Sequence, residues 1–222
     1  MFLADGDVMS FSFEELKAIL EKLNESFPSL ARVSTYANGS SILLKTEEEL
    51  SELHKLKLNT LYMGLESGSE QILRKAGKAE NASDMAKAVK TAQEKGFKCS
   101  VMVLLGIGGR KYSAEHIRES AKVLNLMQPR LLSALRFIEV SGTLMYNDYE
   151  SITEYEAVSE LYELIKSLDL KKTVFRANHA SNPVPIGGRF PQDREKLLAE
   201  TEYMLKSGRL DTDGPGRVPL YL

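Results

Sequence analysis

Hydrophobic and polar positions follow two periods along this chain, and the switch between them repeats. Residues 1–4 are apolar and run straight into the turn chemistry of Asp5-Gly6-Asp7, which reads as a strand beginning at the first residue. Ser12 and Glu15 form a capping box, after which Phe13, Leu16, Ile19, Leu20 and Leu23 recur at helical spacing up to Phe27 and Pro28. A strand at 31–36 follows, and Thr46 with Glu49 then caps a helix whose apolar face includes Leu50, Leu53 and Leu56. The same patterning predicts strands at 59–65, 97–105, 132–140 and 172–177, and helices at 69–75, 83–95, 113–126, 153–168 and 192–206. The strand at 97–105 carries Val101, Met102, Val103, Leu104 and Leu105 in succession, the pattern of a parallel strand covered on both faces.

Six strands each followed by a helix, at the spacing of about 30 residues usual for βα units, predict an α/β protein with an all-parallel sheet and right-handed crossovers. A closed eight-unit barrel takes about 250 residues. The chain has 222, so the pattern predicts a partial, open barrel or a doubly wound sheet. We expect residues 1–182 to form the partial β/α barrel and residues 183–222 a C-terminal helix and tail packed on it.

Composition narrows the partners. A net charge of -2 argues against a broad nucleic-acid surface, and no apolar run approaches the roughly 18 residues of a membrane span. No charged-then-apolar leader is present, so a cytoplasmic protein is expected. The single cysteine, Cys99, excludes a disulfide framework and any multi-cysteine metal site built from this polypeptide alone.

Either architecture puts ligands at the carboxyl ends of the strands. Asp5 and Asp7 flank Gly6 there, where two carboxylates could meet an amino group or a hard cation, or merely cap the next helix. Ser34 stands near the end of the second strand. Glu66 and Ser67 follow the third, and either accepts hydrogen bonds from the hydroxyls of a ribose or opens a helix. Gly106, Gly108 and Gly109 would let a flat ring or a phosphate approach the backbone, or form a plain turn; Lys111 occupies the third place of a dinucleotide fingerprint, which therefore fails. Of three histidines, His54 and His116 fall in helices, where solvent or packing roles are expected, and only His179 lies on the rim. No zinc-type spacing exists, and Cys99 reads as a buried small hydrophobe.

Taken in order, these rim segments resemble the radical S-adenosylmethionine (radical SAM) enzymes. Phe2-Leu3-Ala4-Asp5-Gly6-Asp7 is similar to the family's second strand, whose Gly-Gly-Glu motif binds the amino group of the cofactor's methionine part; here the motif departs to Asp5-Gly6-Asp7. Leu61-Tyr62-Met63-Gly64-Leu65-Glu66-Ser67-Gly68 resembles the fourth, where a polar residue meets the ribose. Val101 to Gly109 resembles the fifth, which lines the adenine, and Leu135-Arg136-Phe137-Ile138-Glu139-Val140 with Ser141-Gly142-Thr143 resembles the sixth. The likeness is to the branch with oxygen-independent coproporphyrinogen oxidase and uncharacterised iron-sulfur oxidoreductases.

The resemblance implies a TIM-like barrel, with S-adenosylmethionine and a 4Fe-4S cluster in the intact protein. It implies reductive cleavage to a 5′-deoxyadenosyl radical that abstracts hydrogen from a small-molecule substrate or modified cofactor precursor. Asp5, Gly6, Asp7, Ser34, Glu66, Ser67, Gly106 and Gly108 would bind the cofactor, with Arg136, Glu139 and His179 toward the substrate. The family's Cys-x-x-x-Cys-x-x-Cys loop has no counterpart here. The expectation is therefore a chain that starts at the family's second strand, its first βα unit missing, with no metal or cofactor bound and no turnover of its own. Loss of that unit would leave the first strand as an exposed edge, open to self-association. Two other readings are a cluster-free binding or scaffold protein on the same barrel, and a metal-dependent α/β hydrolase or lyase using Asp5, Asp7 and Glu66.

Overall fold

The computed structural model describes residues 1–139 and 147–216. The predicted strands and helices are there, with changes at their ends. Capping boxes at Ser12/Glu15, Thr46/Glu49 and Thr153/Glu156 start α1 (Phe13–Ser26), α3 (Glu47–Lys55) and α7 (Glu154–Ser167). Between them the chain makes β1 (Phe2–Leu3), β2 (Val33–Tyr36), α2 (Gly39–Leu43), β3 (Leu58–Glu66), α4 (Glu70–Lys75), α5 (Ala82–Glu94), β4 (Lys98–Leu105), α6 (Gly109–Met127) and β5 (Leu131–Arg136). It ends with β6 (Thr173–Ala177), β7 (Ile186–Phe190) and α8 (Arg194–Lys206).

The strands lie in one seven-stranded sheet in the order the chain makes them, β1 to β7. β1 through β6 are parallel. This unbroken order is that of a partial barrel and excludes the doubly wound alternative, in which the strand order reverses.

Two expectations are corrected. The sheet is not all-parallel: β7, absent from the pattern reading, pairs antiparallel with β6 and continues the sheet past residue 182. Only residues 178–185 join the two strands, and a parallel return takes about a dozen or more. β4 is not covered on both faces. Cys99, Val101, Val103 and Leu105 are buried beneath the helices, while Met102 and Leu104 on the opposite face are only partly buried. The same split holds in β2 and β3, where Thr35, Met63 and Leu65 are buried and Ser34, Tyr62, Gly64 and Glu66 are not fully covered. One face of the sheet is therefore packed and the other open, as inside an unclosed barrel.

Ties from the helices fix the strand ends. Glu160, buried in α7, accepts a hydrogen bond from the Gly106 N–H at 2.7 Å, just beyond β4. Burial is the largest influence on this carboxyl and raises it from 4.5 to about 7, against the opposing pull of Ser113 and the Gly106 amide. The folded state thus keeps a proton that the unfolded chain releases above 4.5, so this group makes folding less favourable as pH rises from 4.5 to 7. Glutamine in its place still accepts from Gly106 and carries no proton. We expect Glu160→Gln to gain stability relative to the wild type across that window, by on the order of 3 kcal/mol. Urea unfolding at a series of pH values measures the gain, and parallel curves for the two proteins would contradict it.

Candidate nucleoside-binding rim

The end of β3 has the most particular geometry on the open face. The pairing of β3 with β4 slips between Gly64 and Glu66, and Glu66 adopts a left-handed backbone with φ +60. That conformation is disfavoured for a residue with a side chain. Its carboxyl folds back over Gly64, where a Cβ would lie 1.9 Å from Oε1, so only glycine leaves room for it. Lys78 Nζ stands 3.5 Å from the same oxygen. Desolvation raises the Glu66 carboxyl above its ordinary value, partly offset by Lys78. The result is a partly buried carboxylate held on the open face at a strand's carboxyl end.

Ser67 does not join it. Its side chain is fully buried, with Oγ 2.9 Å from His116 Nδ1 and accepting from the Ser69 N–H at 3.1 Å. Strand alternation puts Ser67 on the packed side with Met63 and Leu65, where it serves the helix layer, while Glu66 stays in step with Tyr62 and Gly64 on the open face.

The first rim segment divides in the same way. Asp5 is exposed, one oxygen accepting from the Gly6 N–H at 2.7 Å, and nothing crowds Gly6. Asp7 accepts from the Asn38 N–H at 3.2 Å and from the Ser41 hydroxyl, so it caps α2 across the β2 end. Ser34 is partly buried on the open face, in register with Phe2 and Thr60.

Beside Ser34, Phe2, Tyr36 and Tyr62 meet edge to face with centroids 5.0 to 6.2 Å apart. Phe2 and Tyr36 remain exposed. This aromatic group on the open face was missed by sequence reasoning; its signal was one aromatic residue at the same phase in each of three strands.

The glycine turn after β4 belongs to the protein's own packing. The Gly106 N–H is taken by Glu160, and its carbonyl accepts from the Tyr149 hydroxyl at 3.2 Å. A Cβ on Gly106 would meet Ile152, and one on Gly108 would meet Ile72 and the Tyr112 carbonyl. α6 starts at Gly109, four residues before the expected 113, so the glycines end directly in a helix.

The substrate-side candidates are dispersed. Arg136 lies on the packed face with Leu132 and Ala134, its guanidinium donating to the Pro215 carbonyl. Strand alternation turns it away from the open side. His179 is exposed after β6, its Nδ1 2.9 Å from Ser181 Oγ, and that oxygen accepts from the Arg136 N–H. Glu139 is exposed and accepts from the Ser151 hydroxyl at 3.0 Å. The segment from Val140 to Thr143 named with it lies outside the described residues.

A four-iron cluster does not fit this chain. Such clusters are held by thiolates, and Cys99 is the sole cysteine. It is buried on the packed face of β4, with Sγ 3.8 Å from the Val89 carbonyl and its thiol pushed up to about 12 by burial. Among the described residues no three His, Cys, Asp or Glu side chains group to hold a metal ion. The Glu66 carboxylate on the open face has the chemistry to accept hydrogen bonds from a ligand's hydroxyls.

Comparison with known proteins places the fold. The heme chaperone HemW of Bacillus subtilis (strain 168) is 23% identical over 172 residues, covering 75% of this chain and 45% of that protein. The chain spans about half the length of the curated relatives it matches. Among solved structures, Elp3 of Methanocaldococcus infernus with its N-terminus deleted superposes with a TM-score of 0.63 at 16% identity, over 93% of this chain and 54% of that one. Coproporphyrinogen III oxidase (HemN) of Escherichia coli gives 0.54 at 15% identity, over 93% and 39%. The radical SAM superfamily model matches residues 1–124, more than half of the sequence and every strand from β1 to β4. The chain belongs to the radical SAM superfamily.

Proposed function

We propose that the intact protein is a radical SAM enzyme of the cytoplasm acting on a small molecule or a modified cofactor precursor, and that this chain supplies its nucleoside-binding rim. When bound, S-adenosylmethionine would supply a 5′-deoxyadenosyl group for hydrogen abstraction. The observation that carries this reading is the Glu66 carboxylate, held on the open face at the end of β3 within the segment that matches the family. In this reading Glu66 accepts from the ribose hydroxyls, and Asp5 and Gly6 are the accessible part of the first rim segment for the methionine amino group. Ser34 and the neighbouring aromatic group line the open face beside them.

The metal-dependent hydrolase or lyase is not favoured. It needs Asp5, Asp7 and Glu66 to converge, and Asp7 is occupied in capping α2. The lack of cluster thiolates in this chain is compatible with a cluster-free binding protein, but the superfamily match supports the enzyme reading.

Two measurements test this reading. In calorimetry with adenosine, Glu66→Ala should weaken binding about tenfold to a hundredfold, the loss expected for a hydrogen bond to a charged group. Binding of 2′,3′-dideoxyadenosine should be unaffected. Because the Glu66 carboxyl is raised, adenosine affinity should fall with decreasing pH before an ordinary carboxyl would protonate. Equal losses for both nucleosides would remove Glu66 from the ribose. Second, anaerobic treatment of this chain with iron and sulfide should leave it without an iron-sulfur charge-transfer band. Stoichiometric iron retained after desalting would show a ligand set that Cys99 alone does not provide.

A further inference from the structure

We propose that His116 is a positioning residue for Glu66: from within α6 it fixes Ser67, and with it the left-handed turn that keeps the Glu66 carboxyl folded over Gly64. This rests on Glu66 being the ligand-facing carboxylate. His116 is fully buried 49 residues along the chain, and its Nδ1 lies 2.9 Å from Ser67 Oγ and 3.4 Å from Ser120 Oγ.

Each of those hydroxyls already accepts a backbone N–H of the turn. Ser67 Oγ takes Ser69 N–H at 3.1 Å, and Ser120 Oγ takes Gly68 N–H at 2.9 Å. Nδ1 and the two hydroxyls hold one another in either ring tautomer, since each hydroxyl can donate to the ring or accept from it. Burial favours the neutral ring, lowering His116 to about 4.

The turn is also held by shape. A Cβ on Gly68 would lie 2.3 Å from the Glu119 carbonyl, so the chain passes directly against the α6 backbone. Ser69 adds a hydrogen bond to the Glu115 carboxylate. With residues 67–69 fixed, Glu66 is the position where the strand must bend to meet them.

The test reads Glu66 directly, by carbon-13 NMR titration of its carboxyl without any nucleoside. In the wild type Glu66 should titrate above the ordinary carboxyl value. In His116→Leu, which removes the ring nitrogen, the carboxyl should swing toward solvent and its titration move back toward 4.5. In His116→Asn, whose side-chain amide can replace Nδ1 as acceptor or donor, it should stay near the wild type. Glu160 should titrate near 7 in all three, which reports an intact fold. Should His116→Leu fail to fold, Ser67→Ala removes the hydroxyl from the other side and should give the same displacement. Identical Glu66 titrations in the wild type and in the folded variants lacking the ring nitrogen or the hydroxyl would overturn the proposal. Failure of the ribose reading is seen separately, in the adenosine calorimetry.

Discussion

Six consecutive strands run parallel, each beside the one before it, and this constraint organises the rest of the molecule. A parallel neighbour requires the chain to cross back, and crossovers of one hand in an unreversed order all fall on one face of the sheet. That face carries the hydrophobic core, with Leu61, Met63, Val101, Val103, Leu132 and Phe175 buried against the helices. Among the described residues the other face receives no helix layer. It displays Tyr36, Tyr62, Met102, Leu104 and Arg176, which keep some contact with solvent. Parallel pairing also brings every carboxyl end from β1 to β6 to one rim. A ligand site there follows from topology before any particular side chain is considered.

Polar side chains that are buried or partly buried then shape the rim. Asp7 ties β1 to the start of α2, His116 ties the end of β3 to α6, and Glu160 ties the end of β4 to α7. Two of these are buried titratable groups, and their effects on stability run in opposite directions. His116, lowered from 6.5 to about 4, makes folding less favourable as pH falls through that window, because the unfolded ring takes a proton that the folded one refuses. Glu160 does so as pH rises from 4.5 to about 7. Between 4.5 and 6.5 the two slopes oppose, so the pair adds little net pH dependence while each member keeps its strand end in place.

The sequence made the local elements legible because their signals are local. Ser12 with Glu15 and Thr46 with Glu49 mark helix starts within four residues, and the capping bonds are formed as expected. β7 escaped because Gly187 and Gly188 leave its alternation to Ile186 and Phe190 alone, among the breakers Pro183, Pro185 and Pro191. Arg136 was assigned to the substrate side although strand phase puts it with Leu132 and Ala134. Strand phase likewise separates Glu66, in step with Tyr62 and Gly64, from Ser67, in step with the buried Met63 and Leu65. The role of His116 had no sequence signal, because the contact that defines it joins residues 49 apart.

The corner around Glu66 and the single cysteine are physically separate in this chain. Gly64, Glu66, Ser67, Gly68, Lys78, His116 and Ser120 set each other's positions through contacts confined to β3, α6 and the segment between them. None of those contacts involves Cys99, which faces α5 from the packed side of β4 with its thiol neutral. Burial of His116 and the close approach of Gly68 to α6 preorganise the Glu66 carboxylate without any ligand present. In the proposed reading, ribose recognition would rest on packing between β3 and α6, and it would respond to substitution independently of any thiolate-held cluster.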